Sequence, residues 1–358
     1  HRLLSYFARD VLELPVLSAV PDGIGGLVLN LHVDSNAAER PMLALERAGW
    51  FEQGPFSIHV TAGPDTFHEG DRLGLDMPHN PRMQDLLNRL RAQGHEIGNH
   101  GGWVHNVFGE QASDDNADRF VPWLALNQKT LSTIVGQRLV SYSAPMGNHP
   151  DWVTGWLHEH DFRAYYTAGD SGLGPTRAYR QGRPPTPGTP WAFPISNLQR
   201  IATLDELPQL GASETLMSNF MRDLTRHVST QGIVRLFYFH PASAPDYPHS
   251  LTVLQETTRA LQQQGRFRWY SMQALADFLD RRLAVQWQIQ APADGDMARL
   301  HAHSPQSLQG MTWVFPKGKA QGLHLSLGQA EIVEDPHQWR VIAGDVHQIT
   351  LHWQQRQE

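Results

Sequence analysis

The sequence contains no cysteine among its 358 residues. This absence excludes disulfide bonds, cysteine–zinc sites and thiol chemistry, so any metal must be bound by histidine, aspartate or glutamate. No apolar run reaches the roughly 18 residues that a membrane-spanning helix needs. We therefore expect no transmembrane span in this chain. The sequence also lacks an initiator methionine and begins His1-Arg2-Leu3, which predicts that an upstream segment has been removed.

Charged side chains are scarce as well. They make up 18% of the residues, the formal net charge is -7, and the mean hydropathy is -0.43. No cluster of lysine or arginine stands out, whereas a protein that binds a nucleic-acid duplex or an anionic membrane surface needs a positive patch. We expect no nucleic-acid partner. Hydrophobic residues nevertheless account for 40% of the chain, including 11 Trp and 14 Phe, which is enough for a large core.

Strand-like and helix-like segments alternate along most of the chain. The first strand candidate, Leu27–Val33, is apolar nearly throughout, which is typical of a sheet that is buried on both faces. Helical segments of about 10–15 residues follow successive strand candidates, and this alternation predicts an α/β fold with a parallel sheet, a barrel or part of one. In such sheets functional side chains gather at the C-terminal ends of the strands.

The two ends of the chain follow other patterns. Residues 1–25 are predicted to be an N-terminal helix and linker, and the α/β segment is predicted to span residues 26–283. Beyond it, apolar and polar residues alternate in segments such as Leu323–Leu327, and this is the period of half-exposed strands. We therefore expect residues 284–358 to form a small, sandwich-like all-β domain, whose role the sequence leaves open.

Candidate functional side chains follow four of the predicted strands. They occur in the segments His32-Val33-Asp34, Asn99 to His105, Ser143 to Gly147, and Phe239-His240-Pro241. One carboxylate and two histidines at a common rim would form a metal site with an open position for water. A metal held in this way lowers the pKa of the water and makes it a nucleophile near neutral pH. A further histidine nearby can act as a general acid.

The histidine pair His100 and His105 has an unusual spacing. On a regular helix five residues would leave the two side chains some 140° apart, too far for both to bind one metal. The intervening Gly101-Gly102 permits a loop that can bring them together. The chain contains 20 histidines, roughly double the usual share, so chance pairs are common. Ordinary surface or hydrogen-bonding histidines therefore stand as the alternative to metal ligands.

Several sequence strings resemble one enzyme family. Gly94-His95-Glu96-Ile97-Gly98-Asn99-His100, followed by a second histidine, resembles the metal motif of the NodB-homology polysaccharide deacetylases, carbohydrate esterase family 4. Asp34 resembles the second aspartate of the family's Asp-x-Asp motif, and Ser143-Ala144-Pro145 is similar to the third motif of peptidoglycan-deacetylase-like members. Leu236–Pro241 resembles the last motif. The resemblance covers about residues 26–282, with the motifs in the family's order.

This resemblance implies a distorted (β/α) barrel of the NodB type and a divalent metal on Asp34, His100 and His105. The metal would be zinc, with cobalt, nickel or manganese as alternatives. The implied reaction removes N-acetyl groups from an amino-sugar polysaccharide of the cell envelope or an exopolysaccharide. His240 would protonate the leaving amine, and a backbone N–H near Met146-Gly147 would stabilise the oxyanion. We accordingly expect a periplasmic, extracellular or envelope-associated protein, with a polysaccharide-assembly partner as an option.

The chain departs from the family pattern at three places. His32 stands where the first aspartate, the usual base, is expected, and since a neutral imidazole can accept a proton we assign His32 as the base. In the alternative register Asp34 would be the base, with Ser35 at the metal position. The two histidines lie one residue further apart than usual, and Ser143 stands near the place of the family's arginine. Two further functions therefore stay open: a catalytically degenerate glycan-binding or assembly protein, and a metal-independent C–N hydrolase of a small amide.

Four residues are predicted to contact the substrate. Trp103 lies beside the ligand loop and could stack on a sugar ring, with core packing as its alternative. Pro145 and Met146 belong to the third motif. Asp170 lies where family members line the site, but an ordinary loop aspartate is the favoured alternative for it. His95 precedes its strand and is not expected to bind the metal.

Overall fold

The computed structural model of the protein describes residues 7–12, 14–168, 174–177, 184–290, 297–318 and 320–355. Internal contacts divide the chain into two compact units. The barrel unit is Gly26–Ala276, and the sandwich unit combines His1–Gly25 with Asp277–Glu358. The described part of the N-terminal segment contains a turn of π-helix (Phe7–Val11) and the short strand β1 (Val16–Leu17).

Strands and helices alternate in the barrel unit, as the sequence predicts. The strands are β2 (Gly26–Val33), β3 (Ser57–Val60), β4 (Glu96–Asn99), β5 (Ser141–Tyr142), β6 (Ala164–Thr167), β7 (Trp191–Pro194), β8 (Val234–Phe239) and β9 (Arg268–Tyr270). The α-helices are α1 (Glu39–Arg47), α2 (Pro81–Ala92), α3 (His105–Gln111), α4 (Ala117–Val135), α5 (Asp151–Glu159), α6 (Glu214–Gln231), α7 (Pro248–Gln263) and α8 (Met272–Leu283).

The pairings between these strands are parallel, and the strand order is β7-β6-β5-β4-β3-β2-β8, with β9 paired with the start of β2. Just beyond β7, Ile195 forms a parallel bridge with Leu236 of β8. The N–H of Ser196 donates to the carbonyl oxygen of Leu236 at 2.9 Å. These contacts bring the two edges of the sheet together into a nearly closed barrel. The predicted α/β barrel is confirmed.

Strand β2 shows how the sequence separates the two faces of this sheet. Its residues Leu27, Leu29, Leu31 and Val33 belong to the core cluster that also contains apolar side chains of the surrounding helices. Because side chains alternate along a strand, Asn30 and His32 face the opposite side, into the barrel. The buried strand therefore has polar side chains on its inner face, and they lead towards the rim of the barrel at the strand's C-terminal end.

Beyond α8, the described elements of the sandwich unit are all strands, as predicted for the C-terminal part of the chain. Its further strands are β10 (Gln286–Gln290), β11 (Ala298–His303), β12 (Thr312–Pro316), β13 (Ala320–Leu327), β14 (Ala330–Glu334), β15 (Gln338–Ala343) and β16 (Gln348–Gln355). They form two antiparallel sheets with the orders β1-β12-β15-β14 and β10-β11-β16-β13. Phe315 and Trp353, one from each sheet, pack with their ring centroids 5.1 Å apart, so the sheets face each other across a shared core.

The N-terminal residues differ from the predicted helix and linker. Val16 and Leu17 pair with Val314 and Trp313, so this apolar dipeptide adds an edge strand to the sandwich rather than extending a helix. Its contacts place the N-terminal segment in the same unit as residues beyond 276. Within the described residues, no helix combines the length and the apolar character needed to cross a membrane.

Candidate active site

The candidate site lies at the C-terminal rim of the barrel, where adjacent parallel strands end together. Asp34 directly follows β2, His100 follows β4, and His240 follows β8, while His105 begins α3. One ligand atom from each of Asp34, His100 and His105 lies within 4.8 Å of the others. Within the part of the chain that the structure describes, this is the one cluster of three acidic or histidine side chains with such spacing.

The Gly101-Gly102 step makes the histidine pair converge. Gly101 has a φ of 71°, and a Cβ atom on it would lie 2.1 Å from Pro145 Cγ. A Cβ atom on Gly102 would meet the ring of Phe108 at 2.4 Å. Both positions thus require glycine, one because of its backbone conformation and both because of the close approach of neighbours. The resulting loop lets β4 pass directly into α3 with both imidazoles at the rim.

The hydrogen bonds of the two imidazoles define their tautomers. His100 Nδ1 lies 3.0 Å from the carbonyl oxygen of Ser143, which can only accept, so Nδ1 donates and Nε2 is unprotonated in the neutral ring. His105 Nδ1 lies 2.7 Å from Asn106 Oδ1, with the same consequence. The two Nε2 atoms are 3.1 Å apart. Two nitrogen lone pairs facing each other at this distance repel unless a cation lies between them.

The electrostatics favour neutral imidazoles, the form that binds metals. Burial lowers the pKa of His100 well below its usual range, and the neighbouring His105 lowers it further. Burial also lowers the pKa of His105, against the opposing effect of the Asp34 carboxylate. Asp34 Oδ2 lies 3.9 Å from His105 Nε2. Two imidazole nitrogens and one carboxylate oxygen form a donor set that fits a catalytic zinc or a similar divalent cation.

His240 lies across this site and has an acidic partner that the sequence did not reveal. Its Nε2 is 3.8 Å from Asp34 Oδ2, and its Nδ1 is 3.1 Å from Asp205 Oδ1. Burial by itself lowers the pKa of His240, but the hydrogen bond to Asp205 and the charge of Asp34 outweigh burial, so that the pKa is raised. His240 is thereby suited to carry a proton. Asp205 lies in a 3-10 turn (Leu204–Leu210), 35 residues before His240, without a local motif to identify it.

His32 lies inside the barrel beside the metal cluster and is 2% exposed. Its ring packs against those of His100, Tyr238 and Tyr166, with centroid distances of 4.2, 4.6 and 4.9 Å. Burial lowers the pKa of His32 well below its usual range, and the surrounding histidines lower it further. His32 is therefore a neutral imidazole in the position where the family pattern has an aspartate.

The predicted substrate-binding residues have different surroundings. Met146 is 60% exposed with a φ of 54°, whereas Pro145 is buried and Trp103 packs partly against the hydrophobic core. Asp170 lies outside the described residues. The N–H of Gly147 donates to the carbonyl oxygen of Ala144 at 3.1 Å, so it is not free for an oxyanion. In the Met146-Gly147 pair, the N–H of Met146 is left as the candidate, because Met146 is the second residue of the turn Pro145–Gly147 and has no preceding helical carbonyl.

His95, although part of the motif string, lies at the opposite end of β4. Its Nδ1 accepts the N–H of Phe56 at 3.0 Å, and its Nε2–H donates to the carbonyl oxygen of Phe51 at 3.0 Å. Burial lowers the pKa of His95 to about 4. The ring is thus a neutral connector between backbone segments, and protonation of Nδ1 would break the bond from Phe56.

This environment predicts a pH-dependent contribution of His95 to stability. Because its pKa is lower in the folded than in the unfolded chain, the contribution is complete above about pH 6.5 and is lost as the pH falls towards 4. The loss amounts to roughly 3 kcal/mol. Urea unfolding of the wild type and of His95→Gln, measured between pH 7 and 4, should show a steeper decline for the wild type. Parallel declines would contradict this role.

Comparisons with known proteins agree with this arrangement. Residues 65–165 match the family model described as polysaccharide deacetylase, a segment that contains His100 and His105. A structure from Mycobacterium smegmatis that is named as a polysaccharide deacetylase has a TM-score of 0.54 at 17% identity, over 76% of this chain and 96% of that chain. A structure of the same name from Pseudomonas aeruginosa PAO1 has a TM-score of 0.52 at 12% identity, over 75% of this chain and 96% of its own length.

No curated protein matches the chain significantly. The structural likenesses concern the fold, and the match to the family model is limited to residues 65–165. Members of this family are hydrolases of N-acetyl amide bonds, as the motif resemblance implied. The resemblance is therefore confirmed: residues 65–165 match the polysaccharide deacetylase family model, and the barrel shares its fold with two structures named as polysaccharide deacetylases.

Proposed function

We propose that this chain removes N-acetyl groups from an amino-sugar polysaccharide with a divalent cation held by Asp34, His100 and His105. The observation that carries the proposal is the pair of unprotonated Nε2 atoms of His100 and His105, 3.1 Å apart beside a carboxylate. This donor set suits zinc, with cobalt, nickel and manganese as alternatives. Bound there, the cation would supply Lewis acidity, which activates a water molecule and polarises the acetyl carbonyl.

The partners of the ligand histidines support this assignment. Ser143 accepts from His100 and Asn106 accepts from His105, and both bonds orient Nε2 towards the candidate metal position. Metal-binding histidines usually have such an acceptor on the other ring nitrogen, which fixes the tautomer and increases the basicity of the ligand. Asp34 would be the third ligand, which corresponds to the register that leaves His32 in the place of the family's base.

The chain's own groups would handle the protons of the reaction. His32, neutral and next to the ligand cluster, would accept a proton from the attacking water. His240, whose pKa is raised, would hold a proton at Nε2 and pass it to the nitrogen of the departing amine. The N–H of Met146 would donate to the carbonyl oxygen as negative charge develops on it. The products are acetate and a free amino group on the sugar.

The proposed substrate is an N-acetylated glycan of the cell envelope or an exopolysaccharide, because such glycans are the substrates that the family resemblance implies. A site open at the rim of a barrel suits a polymer, of which only one acetamido group has to enter. The proposal therefore places the protein outside the cytoplasm, in the periplasm, the envelope or the extracellular space. A polysaccharide-assembly partner is part of the same proposal.

Metal content and acetate release, measured on one purified sample, test the proposal. We expect about one divalent cation per chain and release of acetate from N-acetylglucosamine oligomers. Chelation should lower the rate at least about 100-fold, since metal activation contributes several kcal/mol, and re-addition of zinc, cobalt, nickel or manganese should restore it. A sample taken through the same dialysis without chelator is the control.

Each of the other outcomes would point to a different function. Bound metal without acetate release from any acetylated glycan would favour a degenerate glycan-binding protein. Hydrolysis of a small amide that survives complete removal of the metal would favour a metal-independent C–N hydrolase. The absence of bound metal together with an unchanged rate after chelation would contradict the metal centre itself.

A further inference from the structure

A buried amide lies directly beneath His32 in the barrel. Asn30 is two residues before His32 on β2, is 0% exposed, and points to the same inner face of the strand. Burying an amide in this position costs free energy unless its polar atoms are hydrogen-bonded. Both ends of the Asn30 side chain have such partners, one in the neighbouring strand β3 and the other in His32.

The strand partner fixes which way the amide faces. Asn30 Nδ2 lies 3.0 Å from the carbonyl oxygen of Ser57, which can accept a hydrogen bond but cannot donate one. The amide must therefore direct its NH₂ group towards Ser57 and its oxygen towards His32. A flipped amide would bring two oxygen atoms together in the barrel interior, where no proton could join them.

The orientation of Asn30 in turn defines the tautomer of His32. Asn30 Oδ1 lies 2.8 Å from His32 Nε2, and since this oxygen only accepts, Nε2 must carry the proton. In a neutral imidazole with a protonated Nε2, the free lone pair is on Nδ1. The rings of His100 and Tyr238, with centroids 4.2 and 4.6 Å from that of His32, restrict rotation of the imidazole.

We propose that Asn30 is a positioning residue that holds His32 as its Nε2–H tautomer and leaves Nδ1 as the atom that accepts the proton of the attacking water. The part concerning the water rests on the proposed function, whereas the tautomer does not. The hydrogen bond from His32 to the amide would thus give the imidazole one fixed proton-accepting atom, a role that the carboxylate has in an aspartate base. With Asn30 in place, Nδ1 of His32 is the acceptor. Without it, the imidazole could exchange tautomers, and either ring nitrogen could be the acceptor.

The tautomer can be measured without any reaction. In protein labelled with ¹⁵N-histidine, long-range proton–nitrogen NMR correlations distinguish protonated from unprotonated ring nitrogens, and His32→Gln identifies the His32 signals by their loss. We expect a protonated Nε2 and an unprotonated Nδ1 in the wild type, and loss of this preference in Asn30→Leu. A protonated Nδ1, or a mixture of tautomers in the wild type, would overturn the proposal whether or not the protein is an active deacetylase.

Kinetics test whether Asn30 acts through His32. We expect Asn30→Leu to lower kcat for acetate release by about 10- to 100-fold with little change in KM, as for other residues that orient a functional histidine. In a His32→Ala background the same substitution should have no further effect on kcat. Asn88→Leu is the matched control, because the side-chain NH₂ of this half-buried asparagine donates to the carbonyl oxygens of Gln84 and Ile134, away from the barrel interior.

Additive losses in the double variant would overturn the positioning role, since they would show that Asn30 affects the rate independently of His32. If no variant and no wild-type sample releases acetate, the proposed function fails, and the NMR result alone decides the tautomer. The wild-type spectrum also serves if Asn30→Leu does not fold, because the predicted tautomer is a property of the unmodified protein.

Discussion

Replacing Asp34 by alanine is expected to abolish metal binding and acetate release together. Asp34 provides the one carboxylate of the cluster, and without it His100 and His105 remain as two neutral ligands. Loss of the cation removes several kcal/mol of transition-state stabilisation, so kcat/KM should fall by at least about 10³-fold. Elemental analysis of the purified variant and acetate release from N-acetylglucosamine oligomers measure the two effects on one sample.

This experiment also separates the two registers of the first motif. If Asp34 were the base and Ser35 occupied the metal position, Asp34→Ala would lose activity while keeping its metal. His79→Ala is a suitable control, because His79 is an exposed histidine that hydrogen-bonds to Asp76 outside the cluster. The control should retain both metal and activity. A metal-free His79→Ala sample would show that the metal content reflects surface histidines rather than the site.

The sequence indicated the rim of the site because apolar strands and the polar residues that end them are local features. Asp34, His100 and His240 each follow such a strand, and parallel strands bring these positions to one edge. The polar Asn30 inside the apolar run Leu27–Val33 was also visible in the sequence. The role of Asn30 was not visible in the sequence, because the orientation of its amide depends on a hydrogen bond to the carbonyl oxygen of Ser57 in the neighbouring strand.

Other features could not be predicted because they depend on contacts between distant segments. Strand β7 follows a proline-rich segment instead of a helix, so the alternation of strands and helices that marks the other strands is missing there. The closing bridge between Ile195 and Leu236 exists only once the barrel has formed. Likewise, β1 gains its partner from Val314 and Trp313, about 300 positions later in the chain, and no local periodicity reports such a pairing.

Replacing His240 by glutamine should lower kcat by about 10²- to 10⁴-fold, the range found for loss of a general acid, while the metal stays bound. His240 Nε2 lies 3.8 Å from Asp34 Oδ2 and outside the three-ligand cluster, so its loss should leave the metal content at about one per chain. A metal-free His240→Gln protein would identify His240 as a ligand instead of an acid. Rates and metal content must therefore be measured on the same preparation.

Asp205 should act only through this histidine. Its carboxylate accepts from His240 Nδ1 and so directs Nε2 towards the site, and Asp205→Asn should lower kcat by about 10- to 100-fold. In a His240→Gln background the same change should have no further effect. Asp76→Asn is the matched control, because Asp76 makes a similar bond, 3.0 Å, to the exposed His79. A further loss of rate in the double variant would mean that Asp205 contacts the substrate itself, and its hydrogen bond to His240 would no longer explain its effect.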